Sequence, residues 1–434
     1  MLPILRFLLR AFLLASLTGC EAPQSFPRPE DGIARRSGFR SGSRPQALTF
    51  SWPDGIRSGQ SLSEDQAIAI ALWNNPDFQA ALAGLGLARA DVVKAGQLPN
   101  LSLGMLFPNN TSALEAAVKL PLDALWLRPL RVQAAQLDAQ SVADNLTQGG
   151  LDVIREVRVA CAVIELARQR RHHAEESAAA FAGMAELAGA RLKAGDTGEL
   201  EPSQARAEAQ VSRQEAQRLT YEEKLAVEAL RALLGMSSGG AALSMRSLAP
   251  VRTGAPASAN SLINTAFASR PDIRAAELSV LAAGVRARLA KAEILSLTAA
   301  AKSTRGDGTQ PGFDAPLPLL NQNQAGRSLA SAGVEKALRQ LNLVRERAAA
   351  EVRSARLKLE EARSVSAGWE NILPSLRTAL DKARRSLELG EATQLVVFDA
   401  RRRLSEAGAK SAESEARLRE ARAELEHAIG GKLP

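Results

Sequence analysis

The sequence predicts a mainly α fold built from duplicated long helical hairpins, with two short β-hairpins set into them. Three observations carry this expectation. From Pro129 to Lys193 there is no second proline, and Leu130, Leu137, Leu146, Val153, Val157, Ile164 and Leu166 recur at helical spacing. At about 1.5 Å per residue such a helix would run roughly 95–100 Å, longer than a compact domain needs. Landmarks also recur at a constant offset of 195 residues: Asn75-Pro76-Asp77 with Arg270-Pro271-Asp272, Glu156-Val157-Arg158 with Glu351-Val352-Arg353, Gly195 with Gly390, Leu200 with Leu395, and Gly235 with Gly430. Finally, two stretches switch from helical to alternating period, around residues 99–121 and 294–320.

The elements follow in order. Residues 1–19 read as an export signal: Arg6 and Arg10 precede a short apolar run, too short to span a bilayer. Leu17-Thr18-Gly19-Cys20 resembles a bacterial lipobox, which would make Cys20 the acylated first residue of the mature protein. Glu21 is not the aspartate that retains such proteins in the inner membrane, so the outer membrane is expected. Residues 20–62, rich in Pro, Ser, Gly and Arg, read as a lipidated flexible tether.

The first repeat is expected over 63–235. Ser63 to Gln66 form a capping box that opens a short helix. Asn75 caps a second helix that begins with Pro76 and stops at Pro99-Asn100. Alternation at Leu101, Leu103, Met105 and Phe107, the turn Pro108-Asn109-Asn110, and alternation at Leu114, Ala116, Val118 and Leu120 make a β-hairpin. Pro121 ends it, the long helix begins near Pro129, and Gly149-Gly150 is expected to kink or loosen that helix. The helix turns at 194–200, and a partner helix returns from Glu201 to Leu234, closed by Gly235.

Residues 236–260 link the halves. The second repeat, 261–430, starts helices near Ser261 and Pro271. A β-like stretch covers Leu295–Ala301, Gly306-Asp307-Gly308 makes a turn, and a poor strand follows at Phe313–Leu320. A long helix runs from about Gly326 to Leu389, bent locally at Pro374. After the turn at 389–395 the last helix runs to Ile429.

Composition narrows the function. Aromatics are 4%, with a single Tyr, and Ala, Leu, Arg, Glu and Gln dominate the helices. Alanine-rich faces pack closely but bury little, so a lone chain has a thin core and association is expected. The formal charge of +8 comes from interleaved Arg and Glu, without the stacking aromatics of a nucleic-acid reader. No catalytic constellation or phosphate-binding loop is present. His172 and His173 are adjacent, so their rings diverge by about 100° on a helix and make no metal pair. Cys161 sits among Val159, Ala160, Ala162 and Val163 and reads as a small buried apolar residue. An enzyme is not expected, nor a cofactor.

The order of these elements resembles the outer membrane efflux protein family, the TolC-like factors. The likeness lies in Leu62-Ser63-Glu64-Asp65-Gln66-Ala67, Asn74-Asn75-Pro76, Leu98-Pro99-Asn100-Leu101, Ala194-Gly195 with Leu200, and Gly390-Glu391-Ala392 with Asp399-Ala400. It implies a homotrimeric α-barrel, a shared outer membrane β-barrel, and partners in a periplasmic adaptor, an inner membrane pump and outer membrane lipid. By position, Gly195, Thr197, Leu200, Gly390, Thr393 and Leu395 would be the adaptor-docking turns. Glu201 and Asp399 would form the pore constriction, as carboxylate rings that select cations and open with pH. The family's first acidic position is Val396 here. The segment Pro316–Gln324 looks like relatives serving heavy-metal pumps, which adds metal cations as a cargo class. Prolines at 311, 316 and 318 put the fourth strand in question. Two alternatives follow: a lipid-anchored structural protein without a full barrel, and the exit duct of a type I secretion system.

Overall fold

A computed structural model describes residues 28–40, 50–107, 114–237, 243–251, 254–304 and 308–433. Its helices are α1 (Pro29–Ser37), α2 (Glu64–Asn74), α3 (Pro76–Gly96), α4 (Asp123–Ala194), α5 (Leu200–Leu233), α6 (Ala259–Ser269), α7 (Pro271–Ala292), α8 (Gln324–Glu388) and α9 (Gln394–Ala428). Its strands are β1 (Ser102–Leu106), β2 (Glu115–Pro121), β3 (Thr298–Thr304) and β4 (Gly308–Asp314). Cys20, the turn at Pro108-Asn109-Asn110 and Gly306-Asp307 lie outside the described residues.

The caps expected at Ser63 and Asn75 form. The Ser63 hydroxyl accepts from the Gln66 amide while the Gln66 side chain accepts from the Ser63 amide. Ser258, 195 residues on, caps α6 by accepting from the Ser261 amide. Asn75 Oδ1 accepts from the Phe78 amide at 2.9 Å, and Pro76 and Pro271 each open the next helix.

The chain divides into two compact units. One contains Ala80–Thr147 and Pro271–Glu346. Here the four strands form a single antiparallel sheet in the order β1-β2-β3-β4, so the two hairpins are joined through β2 and β3. Ser141 on α4 donates to the Ala275 carbonyl on α7 at 2.9 Å, and Asp138 pairs with Arg286. Burial raises the Asp138 pKa despite that arginine. Arg345 on α8 reaches Glu277 on α7 at 2.6 Å.

The other unit contains Ile33–Gln79, Gln148–Arg270 and Arg347–Pro434. Its second-repeat core joins Leu262 and Ala266 of α6, Val352 and Leu359 of α8, and Leu418 and Leu425 of α9. The residues 195 positions earlier include Ala67, Ala71, Val157, Ile164 and Leu230, all buried as well. The repeats share more than packing. Asn75 Nδ2 donates to the Leu233 carbonyl at 3.0 Å, and Arg270 Nη1 donates to the Ala428 carbonyl at 3.1 Å. Donor and acceptor are each displaced by the repeat. Gly235 (φ 69°) and Gly430 (φ 75°) close α5 and α9 in the left-handed conformation that glycine adopts without strain.

Four expectations need correction. The stretch read as a tether contains α1, whose Ile33 is fully buried. Gly149-Gly150 does not break α4; Gly150 is the seat of Ile33, whose Cγ1 would lie 2.9 Å from an added Cβ. α4 starts at Asp123, not near Pro129, because the Leu297 carbonyl receives the Leu122 amide at 2.7 Å and sets the helix entry. Pro129 then sits inside the helix and leaves the Leu125 carbonyl without its usual donor. In the second hairpin the strands run Thr298–Thr304 and Gly308–Asp314, since pairing with β2 fixes β3 and β3 fixes β4. Pro316 and Pro318 therefore lie beyond the sheet; only Pro311 is within β4, an edge strand of this chain's sheet. The linker between the halves is held to the fold where it is described: Leu62 and Met245 form a parallel bridge, and buried Glu165 accepts from Ser247 Oγ at 3.0 Å and the Leu248 amide at 3.3 Å. At Pro374 helix α8 is unbroken.

Candidate functional site

Two places present chemistry to the outside: the turns between long helices and the sheet. The turns are copies of one another. In the first, Gly195 (φ 80°) donates its amide to the Leu192 carbonyl at 3.1 Å and Asp196 donates to Arg191 at 2.9 Å. In the second, Gly390 (φ 74°) donates to Leu387 at 3.0 Å and Glu391 to Ser386 at 2.8 Å. Every partner is shifted by 195. An L side chain at either glycine would be strained, although open space surrounds both.

The turns leave apolar surface uncovered. Leu200 is 71% exposed and Leu389 73%, with Leu395 and Val396 near half. Leu192 and Leu387 are half-buried. Thr393 precedes α9 in extended conformation, with no side-chain cap bond. Thr197 Oγ1 donates instead to Glu201 at 2.5 Å.

Both carboxylates expected at a constriction have guanidinium partners in their own chain. Glu201 accepts from Arg191 at 2.6 Å. Asp399 accepts from Arg402 and Arg403, each at 2.8 Å. The Arg402 hydrogen bond and both positive charges hold the Asp399 carboxyl below its ordinary range. Arg191, Arg402 and Arg403 were not singled out in the sequence, yet the i+3 and i+4 spacing of the last two from Asp399 was there to read. Phe398 beside Asp399 packs on Gly183 of α4, its Cζ 2.6 Å from where a Cβ would stand, and that contact has no signal in the sequence.

The sheet has two unlike faces. Antiparallel partners share a face, and successive residues alternate. Leu103 and Met105 lie beside Val118 and Ala116; Val118 and Leu120 lie beside Ala301 and Ala299, which face Pro311 and Phe313. That face is apolar except for Ser303 and Thr309 at one end, yet Leu103 is 66% and Phe313 79% exposed. The opposite face carries Lys119, Glu115, Lys302, Thr304 and Asp314, with Lys302 and Glu115 ion-paired at 2.8 Å. An exposed apolar face backed by a polar, ion-paired one is the residue pattern of strands set between lipid and water. The strands are five to seven residues, shorter than the 9–11 typical of a tilted spanning strand. Among the described residues no helix is long and apolar enough to cross a membrane, and no cluster of three or more His, Cys, Asp or Glu could hold a metal ion.

Comparison with known proteins decides between a channel and a structural bridge. The model of the outer membrane efflux protein family matches residues 67–236 and again residues 262–431, the two matches displaced by 195 residues. The chain belongs to the outer membrane efflux protein family. It is similar to the pyoverdine export outer membrane protein OpmQ of Pseudomonas putida, 26% identical over 96% of each chain. The fold matches the outer-membrane channel OprN, at 19% identity and TM-score 0.70 over 96% of this chain and 98% of that one. It also matches VceC of Vibrio cholerae, at 18% identity and TM-score 0.69 over 86% of this chain and 97% of that one. This member of the outer membrane efflux protein family is thus the outer membrane channel component of an efflux pump, and its family is one of channels rather than enzymes.

Proposed function

We propose that the protein acts as a homotrimer in which the four strands of each copy join those of its neighbours in one barrel. The unlike faces of the sheet carry this reading: Leu103, Met105, Val118 and Phe313 would meet lipid, while Glu115, Lys119 and Lys302 would line the lumen. β1 and β4 each present an open edge in one chain, and pairing β4 with β1 of the next copy would remove both edges. An acylated Cys20 would add a second hold on the outer membrane, useful where strands are short.

In this assembly the turns at Gly195, Thr197, Leu200 and at Gly390, Thr393, Leu395 would dock a periplasmic adaptor, which links the channel to an inner membrane pump. Exposed Leu200, Leu389, Leu395 and Val396 supply the apolar contact. Glu201 and Asp399 would stand at the narrowest point as carboxylate–guanidinium pairs. Such an entrance has little attraction for a bare metal cation and suits anionic or neutral small molecules, in line with a relative that exports pyoverdine.

The test is the Cys20→Ser protein carried out by a non-lipoprotein signal. A detergent-extracted trimer still integral to the outer membrane supports the barrel; a soluble periplasmic monomer overturns it. Reversal potentials of the trimer in a planar bilayer test the entrance. Weak ion preference, shifting toward cations in Arg402→Ala/Arg403→Ala, supports paired carboxylates. Strong cation preference lost in Asp399→Ala overturns them.

A further inference from the structure

A groove of about 800 Å³ runs along α4 between α5 and α9, inside the second unit. Small-molecule sites occupy about 300–1,000 Å³. The floor is α4, where Ala174, Ser177 and Phe181 follow one another at helical spacing. Val211 and Leu219 of α5 and Ala409 of α9 stand at the sides. The three helices are fixed around this space. Arg171 of α4 holds Glu223 of α5 at 2.7 Å, and Arg170 meets Glu222 of α5 at 3.5 Å and Glu413 of α9 at 3.3 Å. His173 over Gly408 and Phe398 over Gly183 bring α9 close to α4. The groove is open because α4 presents a methyl and a hydroxymethyl in its middle.

The second repeat shows what this line can hold. Under the 195-residue offset α8 corresponds to α4, and α9 to α5. Arg170, Ala174, Ser177 and Phe181 become Val365, Trp369, Ile372 and Leu376. One hairpin thus carries an indole and branched aliphatic chains of its own where the other leaves room for them.

One charge in the lining is left over. Arg218 holds Glu215 at 2.8 Å and Glu222 at 2.9 Å. Glu406 accepts from Arg402 at 2.7 Å. Glu208 lines the groove, is exposed, and has no ion pair among the described residues. The antiparallel register of Arg170 with Glu222 and Arg171 with Glu223 puts Phe181 level with Val211, about one turn from Glu208. A cation gains from an aromatic face and from a carboxylate alike. The counterpart of Glu208 is Arg403, so the second repeat carries a positive charge of its own at that position.

We propose that this groove binds a bulky aromatic cation. Its rings lie along Ala174 and Ser177, where the second repeat carries Trp369 and Ile372, and its charge meets Glu208 and Phe181. A bare metal cation has no apolar body and gains little here. The site lies within one chain, so the proposal goes beyond the channel reading and does not depend on how copies assemble.

The test titrates the full-length protein, held in phosphatidylcholine nanodiscs, into rhodamine 6G and follows fluorescence anisotropy against empty discs. Fluorescein, which shares the xanthene rings but is an anion, is the matched control. Rhodamine 6G should bind saturably, and fluorescein weaker by about five-fold or more. Ala174→Trp, which copies the second repeat, should abolish binding. Glu208→Arg should weaken rhodamine 6G about ten-fold and strengthen fluorescein. Position 208 is exposed, so this variant decides even if Ala174→Trp fails to fold, which circular dichroism checks. No saturable binding above empty discs, or binding that a folded Ala174→Trp leaves unchanged, overturns the site. Equal affinity for the two dyes, or indifference to Glu208→Arg, overturns the assignment to a cation.

Discussion

Gly150→Ala isolates the seating of α1 on α4. In mid-helix the change from Gly to Ala favours the helix by about 1 kcal/mol. Here the new methyl would meet Ile33, with Cγ1 at 2.9 Å and Cδ1 nearer, and Ile33 is fully buried and has no room to retreat. Overpacking of this kind costs about 1–3 kcal/mol. The net effect in the native background is therefore a loss of about 0–2 kcal/mol. In an Ile33→Ala background the obstructing atoms are gone, and Gly150→Ala should stabilise by about 1 kcal/mol. The two substitutions thus couple by about 1–3 kcal/mol, as expected of residues in contact. Limited trypsin cleavage at Arg35 and Arg36 reads the local opening of α1. When closing is fast, its rate follows the open population. Because α4 stays helical when α1 opens, the propensity gain drops out of this rate: Gly150→Ala should speed cleavage by about 5- to 150-fold alone and leave it nearly unchanged when added to Ile33→Ala. Equal effects in both backgrounds would refute the packing argument.

Other outcomes follow from single sites. Burial pushes the Cys161 thiol up to about 12, so a maleimide at pH 8 should leave it unmodified until the protein is unfolded. Burial raises the Asp152 carboxyl, but hydrogen bonds from His427 and Gln148 outweigh it and leave the carboxyl below its ordinary value. A lowered folded value means that the stabilisation is present above the unfolded carboxylate pKa of about 4 and is lost as pH falls through the folded one. Asp152→Asn should therefore melt earlier than the native protein at pH 7, with the difference closing below about pH 4; an unchanged gap at pH 2 would contradict this. On the sheet, Val118→Arg puts a charge on the apolar face at about 2–4 kcal/mol if that face meets the bilayer midplane. Its membrane-inserted yield should fall sharply while that of Lys119→Ala does not.

Much of the fold was legible because its signals are local. Ser63, Asn75, Gly195, Gly235, Gly390 and Gly430 act on the backbone within a few residues, and a duplication shows itself twice. What escaped reading depends on distant partners. α1 carries Pro29 and Gly32 and one deeply buried apolar side chain, and it exists through the seat that Gly150 offers Ile33. The start of α4 is set by the Leu297 carbonyl of the other repeat. β4 is Gly, Thr, Gln, Pro and Asp along much of its length and exposed throughout, so its bounds come from β3 rather than from alternation. At the candidate site the turn glycines, Gly195 and Gly390, were legible. The charge state of Asp399 was not, because it depends on the side-chain conformations that bring Arg402 and Arg403 onto the carboxylate and not on the spacing of acidic residues.

The bond from Asn75 to the Leu233 carbonyl, and its counterpart from Arg270 to Ala428, differ in every property of the donor except its ability to donate. A neutral amide on a short stem does in one half what a charged guanidinium on a long stem does in the other. What the two halves hold in common from their ancestor is an unmet need, the last open carbonyls of a returning helix, and not the residue that answers it. Divergence can therefore rewrite most side chains while the skeleton stays in register, so a graft between the halves should be judged by the acceptors it leaves empty rather than by the letters it changes.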